Sequence, residues 1–101
     1  MKKLLIVTLT TGLLFSVNAQ ATPLSAPAKA NTCIGCHGAD GNSMVPNFPK
    51  LAGQHAAYLE KALKDYRDGF RKDASMATFA RGLTDQEIKD LAAFYASQTQ
   101  K

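Results

Sequence analysis

The sequence predicts an all-α fold of three to four short helices joined by long loops, and three observations predict it. Leu59, Ala62, Leu63 and Tyr66 recur at the i, i+3, i+4, i+7 spacing of one helix face, and so do Ile88, Leu91, Ala92 and Tyr95. Thr84, with Glu87 three places on, forms a capping box at the head of the second run. No stretch alternates apolar and polar residues convincingly enough for a strand.

The first element is not part of that fold. Lys2 and Lys3 give a basic start, and Leu4 to Val17 is apolar apart from threonines, a glycine and a serine. Small residues follow at Val17, Ala19 and Ala21. The pattern predicts an export signal over residues 1–21, cut after Ala19 or Ala21. An uncleaved anchor is the competing reading, but the run is short against the ~20 residues a spanning helix needs. The remaining domain, residues 22–101, loses Lys2 and Lys3. The balance of twelve basic and eight acidic residues then becomes ten and eight, a formal +2. That charge density does not suit a nucleic-acid binder.

The domain opens with "TPLSAPAKA", a proline-bearing lead-in with helix expected from about Ala28. Residues 38–50, "GADGNSMVPNFPK", carry glycines, asparagines and two prolines and predict an ordered loop. A long helix is expected over Gln54–Asp68, its outer face pairing Glu60 with Lys64 and Lys64 with Asp68, and Gly69 ending it. "FRKDAS" and "MATFARG" predict one or two turns, with Met76 in a loop, before the last helix. Two short amphipathic helices enclose little core, and long loops order poorly without something to pack on. A domain this small needs a staple.

The staple is legible in "TCIGCHG". Cys33 and Cys36, the only cysteines, stand three residues apart, so one helical turn presents both sulfurs on one face with His37 beside them. C-x-x-C-H is the attachment pattern of c-type haem, in which each thiol adds across a vinyl group and the histidine ligates the iron. Other uses fit less well. A redox disulfide lacks its strand–helix–strand context. Zinc would have to recruit His55 and an awkward Cys36–His37 chelate. A plain disulfide would close too small a loop to stabilise much.

An iron held by His37 has an opposite face. Met76, His55 and Met44 are the candidates, besides an open site. A chain that crosses the haem as helix 54–68 and then returns brings Met76 to that face, and Met/His ligation is a known cytochrome pattern. Six ligands leave no vacant site, which argues for carrying single electrons over activating a substrate.

With these residues in hand, the sequence resembles the class I c-type cytochromes of the small bacterial periplasmic kind, over roughly residues 28–99. The resemblance rests on "CIGCHG", "PNFPKLAGQ" and "MATFARGLTDQEIKDLAAFYAS". The run from Gly38 to Gly69 is similar to one domain of the tandem-domain, di-haem members. The resemblance implies a small cytochrome c fold around one covalent haem c and its iron. It implies a periplasmic, monomeric electron carrier that is not an enzyme and that meets reductase- and oxidase-type partner proteins. It implies that the Pro46 carbonyl accepts a hydrogen bond from the His37 ring, and that Met76 is the distal ligand. Tyr66, Arg67 or Arg71 would replace the family's tryptophan as propionate partner, since the chain has no tryptophan. Met44, where the family has a small residue, would line the haem edge. Small alanines near residue 30 would let the first helix approach the last, with Phe94 or Tyr95 filling the gap. The alternatives are a haem subunit of a larger oxidoreductase and a small-ligand-binding haem enzyme or sensor.

Overall fold

The structure, a computed structural model, describes residues 2–14 and 22–101. Residues 2–14 have no regular secondary structure and are exposed. The cleavage point expected after Ala19 or Ala21 lies outside the described residues. Among the described residues no helix is long and apolar enough to cross a membrane.

A 3-10 helix, Ala28–Thr32, leads directly into α1, Ile34–His37; then come α2, Ala56–Asp68, α3, Ala74–Ala80, and α4, Asp85–Ala96. No strand occurs among the described residues, so the architecture is all-helical as the periodicity predicts. Helix α4 begins as expected. The Thr84 hydroxyl accepts from the Glu87 N–H at 3.1 Å, and the Glu87 carboxylate accepts from the Thr84 N–H at 3.0 Å. Its buried face is Ile88, Leu91, Ala92, Phe94 and Tyr95, each large member contributing roughly 1.5–3 kcal/mol by leaving water.

Helix α2 starts two residues later than the apolar pattern suggests, because His55 is extended and serves as its N-cap. It ends where expected. Gly69 adopts φ 87°, a left-handed C-cap that glycine accepts without a Cβ penalty. Glu60 and Lys64 pair at 3.0 Å, as expected. The expected Lys64–Asp68 pair is absent, because Asp68 is taken by the Arg67 guanidinium at 2.9 Å. Lys61 pairs instead with Asp65.

One core joins these parts. Ala30 of the 3-10 helix, Leu59 of α2, Ala80 of α3 and the buried face of α4 form a single apolar cluster. Ala30 is fully buried against α4, which is the small-residue approach the sequence suggested. Phe94 and Tyr95 fill the space beside it, their rings 4.8 Å apart and tilted by 59°.

The loop after α1 is ordered by backbone stitches. The Gly41 carbonyl accepts from Leu51 N at 2.8 Å and from Ala52 N at 3.1 Å, and Gly53 N donates to the Tyr95 carbonyl at 3.0 Å. Gly41 sits at φ 81°, and a Cβ there would come within 2.7 Å of Ala52 N and 2.8 Å of Tyr95 Cδ1. Only glycine fits where these segments cross.

Candidate functional site

Among the described residues the helices border an apolar-walled cavity of about 340 Å³, within the size range of small-molecule and cofactor sites. Cys33, Cys36 and His37 line it from the α1 side. Leu59, Ala62, Leu63 and Tyr66 line it from α2, and Met76 and Phe79 from α3. Leu91, Ala92 and Tyr95 close it from α4. The structure therefore brings together Cys33, Cys36, His37 and Met76, which the sequence separates by up to a helix and two loops.

His37 is buried. Its Nδ1 lies 2.9 Å from the Pro49 carbonyl oxygen. A carbonyl only accepts, so Nδ1 carries the hydrogen and Nε2 keeps the lone pair that a metal would need. This corrects the expectation for Pro46. Phe48 N donates to the Val45 carbonyl at 3.0 Å, so Pro46 stands at the second position of a tight turn, where proline's fixed φ is favoured. There it is exposed and does not line the cavity. Pro49 follows the turn, just before the stitches from Leu51 and Ala52 to Gly41 fix the chain's path. A signal existed in the sequence. The aliphatic residue two places after a proline is Leu51, following Pro49, whereas Pro46 is followed by the aromatic Phe48.

Met76 is found on the first turn of a helix, not in the expected loop. Asp73 is the reason, because its carboxylate accepts from Met76 N at 2.9 Å and starts α3 there. The other candidates fall away from the cavity. Met44 is 98% exposed and lies by Asp40 and Asn42, so it does not line the cavity edge as expected. His55 is the exposed N-cap of α2 and does not line it either.

Of the three candidate propionate partners, Tyr66 and Arg71 line the cavity and Arg67 does not. The Arg71 guanidinium lies 4.7 Å from the Tyr66 ring centroid, and its Nη1 is 3.4 Å from the Tyr58 hydroxyl. The Tyr58 hydrogen bond pushes the Arg71 pKa up, so its charge is secure. Arg67 is spent elsewhere, on Asp85 at 2.7 Å and on the Leu83 carbonyl at 3.2 Å.

A covalently held haem fits these walls by their chemistry. Two free thiols and an imidazole with a fixed tautomer face an apolar space with a cation at its rim. One buried polar atom, the Tyr95 hydroxyl, lacks a hydrogen-bond partner among the described residues. The sequence reading placed Tyr95 on the buried stripe but missed that its oxygen would need an acceptor there, which any buried tyrosine signals.

Comparison with known proteins agrees. The family described as Cytochrome c matches residues 26–99. Cytochrome c4 of Pseudomonas aeruginosa is 48% identical over 99 residues, which are 97% of this chain and 49% of that protein. Cytochrome c-554(548) of Halomonas halodenitrificans is 51% identical over 73 residues, 69% of this chain and 88% of that one. A solved structure of Acidithiobacillus ferrooxidans cytochrome c4 superposes with a TM-score of 0.63 at 34% identity, covering 68% of this chain and 46% of the other. This chain belongs to the cytochrome c family. It is homologous to one half of cytochrome c4, spanning about half the length of those relatives. A cytochrome c domain carries covalently bound haem c with its iron.

Proposed function

We propose that this chain is an exported electron carrier, and that one cavity lined by Cys33, Cys36, His37 and Met76 is the observation that carries the reading. Cys33 and Cys36 would hold the haem through two thioethers. His37, its ring oriented by the Pro49 carbonyl, would offer Nε2 to the iron. Met76 would offer its thioether sulfur as a second ligand. When bound, the haem supplies an iron that changes by one electron. A histidine and a methionine together favour its reduced form.

The chain's own residues supply the remainder. Arg71, the cation at the cavity rim, and Tyr66 beside it would hold the propionate edge. Phe48 and Phe79, exposed and lining the cavity, form an apolar rim through which partner redox proteins would dock. Lys61 and Lys64 are balanced by Asp65 and Glu60, so they give little net steering. Lys2, Lys3 and the apolar run after them would direct export to the periplasm, leaving residues 22–101 as the working domain.

The test uses purified protein from an exporting host. Haem staining after denaturing electrophoresis should remain, because only covalent haem survives that treatment. The oxidised spectrum should show the weak far-red sulfur-to-iron band, and Met76→Ala should abolish it. Ready binding of carbon monoxide by the reduced wild type at neutral pH would overturn the carrier reading in favour of a ligand-binding one. Co-purification with a stoichiometric larger protein would mark a subunit.

A further inference from the structure

Helix α3 is seven residues long, and Ala80, its last residue, is its buried member. A helix this short gains little from its own hydrogen bonds, because the first turn is costly to nucleate. At its far end Ala80 belongs to the apolar cluster that joins the helices. Met76 lies one turn earlier, half-buried and outside that cluster. Something other than core packing has to hold the turn that carries it.

The main-chain N–H of Met76 is one of the first-turn donors that find no acceptor within their own helix. The Asp73 carboxylate accepts it at 2.9 Å, and the Asp73 carbonyl accepts from Ala77 N at 2.9 Å. Asp73 thus begins the helix with both its side chain and its main chain. The residue whose sulfur would ligate the iron is the residue whose amide the cap holds. Asp73 also lines the cavity, as Met76 does. Helix α4 supplies the contrast. Its cap, Thr84, holds the amide of Glu87, and neither residue lines the cavity. The two caps are alike in chemistry and differ in what they hold.

We propose that Asp73 is a positioning residue for the methionine ligand: its carboxylate fixes the turn that carries Met76, and so keeps small molecules from taking that ligand's place on the iron. The proposal rests on the haem reading above. Without the acceptor the first turn of α3 frays, and Met76 frays with it. An outside ligand then has less to displace. Asp73 is what keeps the chain a carrier and not a binder of small ligands.

The experiment titrates imidazole into oxidised, haem-loaded wild type, Asp73→Ala, Asp73→Asn and Thr84→Ala, and follows the loss of the far-red sulfur band. In Asp73→Ala half of the band should be lost at about 2- to 30-fold less imidazole than in wild type, the range that a lost cap spans. Asp73→Asn, an equally good cap, should titrate close to wild type. Thr84→Ala should also match wild type, although its unfolding midpoint falls. Equal titration of Asp73→Ala and wild type overturns the proposal. Equal weakening in Thr84→Ala overturns it too, as the mark of general softening, and so does Asp73→Asn behaving like Asp73→Ala, which would assign the effect to charge. A second measurement needs no variant. Amide hydrogen exchange in the haem-loaded wild type should protect Met76 above Ala74 and Ser75, the two helical amides before it. Equal exchange of the three overturns the proposal even if Asp73→Ala fails to assemble. A wild type that never shows the band would sink the methionine reading as well, whereas a band that Asp73→Ala leaves equally hard to displace sinks only this one.

Discussion

Helices α2 and α4 carry the same apolar spacing and are buried differently. On α4, Ile88, Leu91, Ala92 and Tyr95 are all buried. On α2, only Leu59 is buried, while Ala62, Leu63 and Tyr66 are half-buried along the cavity wall. The periodicity of a sequence reports which face seeks an apolar partner. It does not report whether that partner is protein. Here α4 finds its partner in the 3-10 helix and α2, and the outer stretch of α2 faces the space that the thiols and imidazole border.

The contrast can be broken most severely at the two cysteines that line the cavity. In Cys33→Ala/Cys36→Ala the haem-stained band should vanish, and the cavity side should lose its reason to order. Circular dichroism should then show reduced helix content and a loss of cooperative melting, and full retention of both would count against cofactor packing as the organiser of that half.

Next in size are single truncations on the two sides. Ile88→Ala, at a fully buried site away from the cavity, should cost about 2–5 kcal/mol in denaturant unfolding and leave the haem spectrum alone. Leu63→Ala should cost less and shift the haem absorption or potential instead. Equal behaviour of the two would erase the distinction.

Smaller still is the cap of α4. Thr84→Ala removes the acceptor for Glu87 N and should lower stability by about 0.5–2 kcal/mol, read as a lower urea midpoint with unchanged slope. The smallest effect is the pH dependence of the same cap. The Thr84 N–H holds the Glu87 carboxyl below its usual range. A depressed folded-state pKa stabilises the fold above the unfolded value, and that contribution fades as pH falls through the folded one. Glu87→Gln should therefore be less stable than wild type at pH 7, and the gap should narrow as pH falls from about 6 towards 3.

These comparisons also show what the sequence could and could not reveal. Helices α2 and α4 were legible because periodicity and capping are local: Gly69 and the Thr84–Glu87 box mark ends without reference to anything distant. Helix α3 was half legible, since Asp73 is a recognisable cap, but the reading placed Met76 in a loop. That Cys33, Cys36 and His37 would stand together was legible from spacing alone, and all three line the cavity. The imidazole's partner was only faintly legible: Leu51 two places after Pro49, against the aromatic Phe48 after Pro46, was the one local cue, and the 2.9 Å approach of the Pro49 carbonyl to His37 is a contact across twelve positions that forms only in the folded chain. The fate of Arg67 was equally hidden. Asp85 lies eighteen positions away and meets it only in the folded packing.

The chain crossing at Gly41 has a further consequence. Gly35, one of the two residues between the cysteines, has nothing within 4 Å of an added Cβ, whereas Gly41 would strike a neighbouring main chain and a ring. Randomising position 35 should still yield red colonies, and randomising position 41 should bleach nearly all of them. A search keyed to the pentapeptide signature would thus accept impostors that a single hydrogen-sized side chain, outside the signature, is enough to unmask.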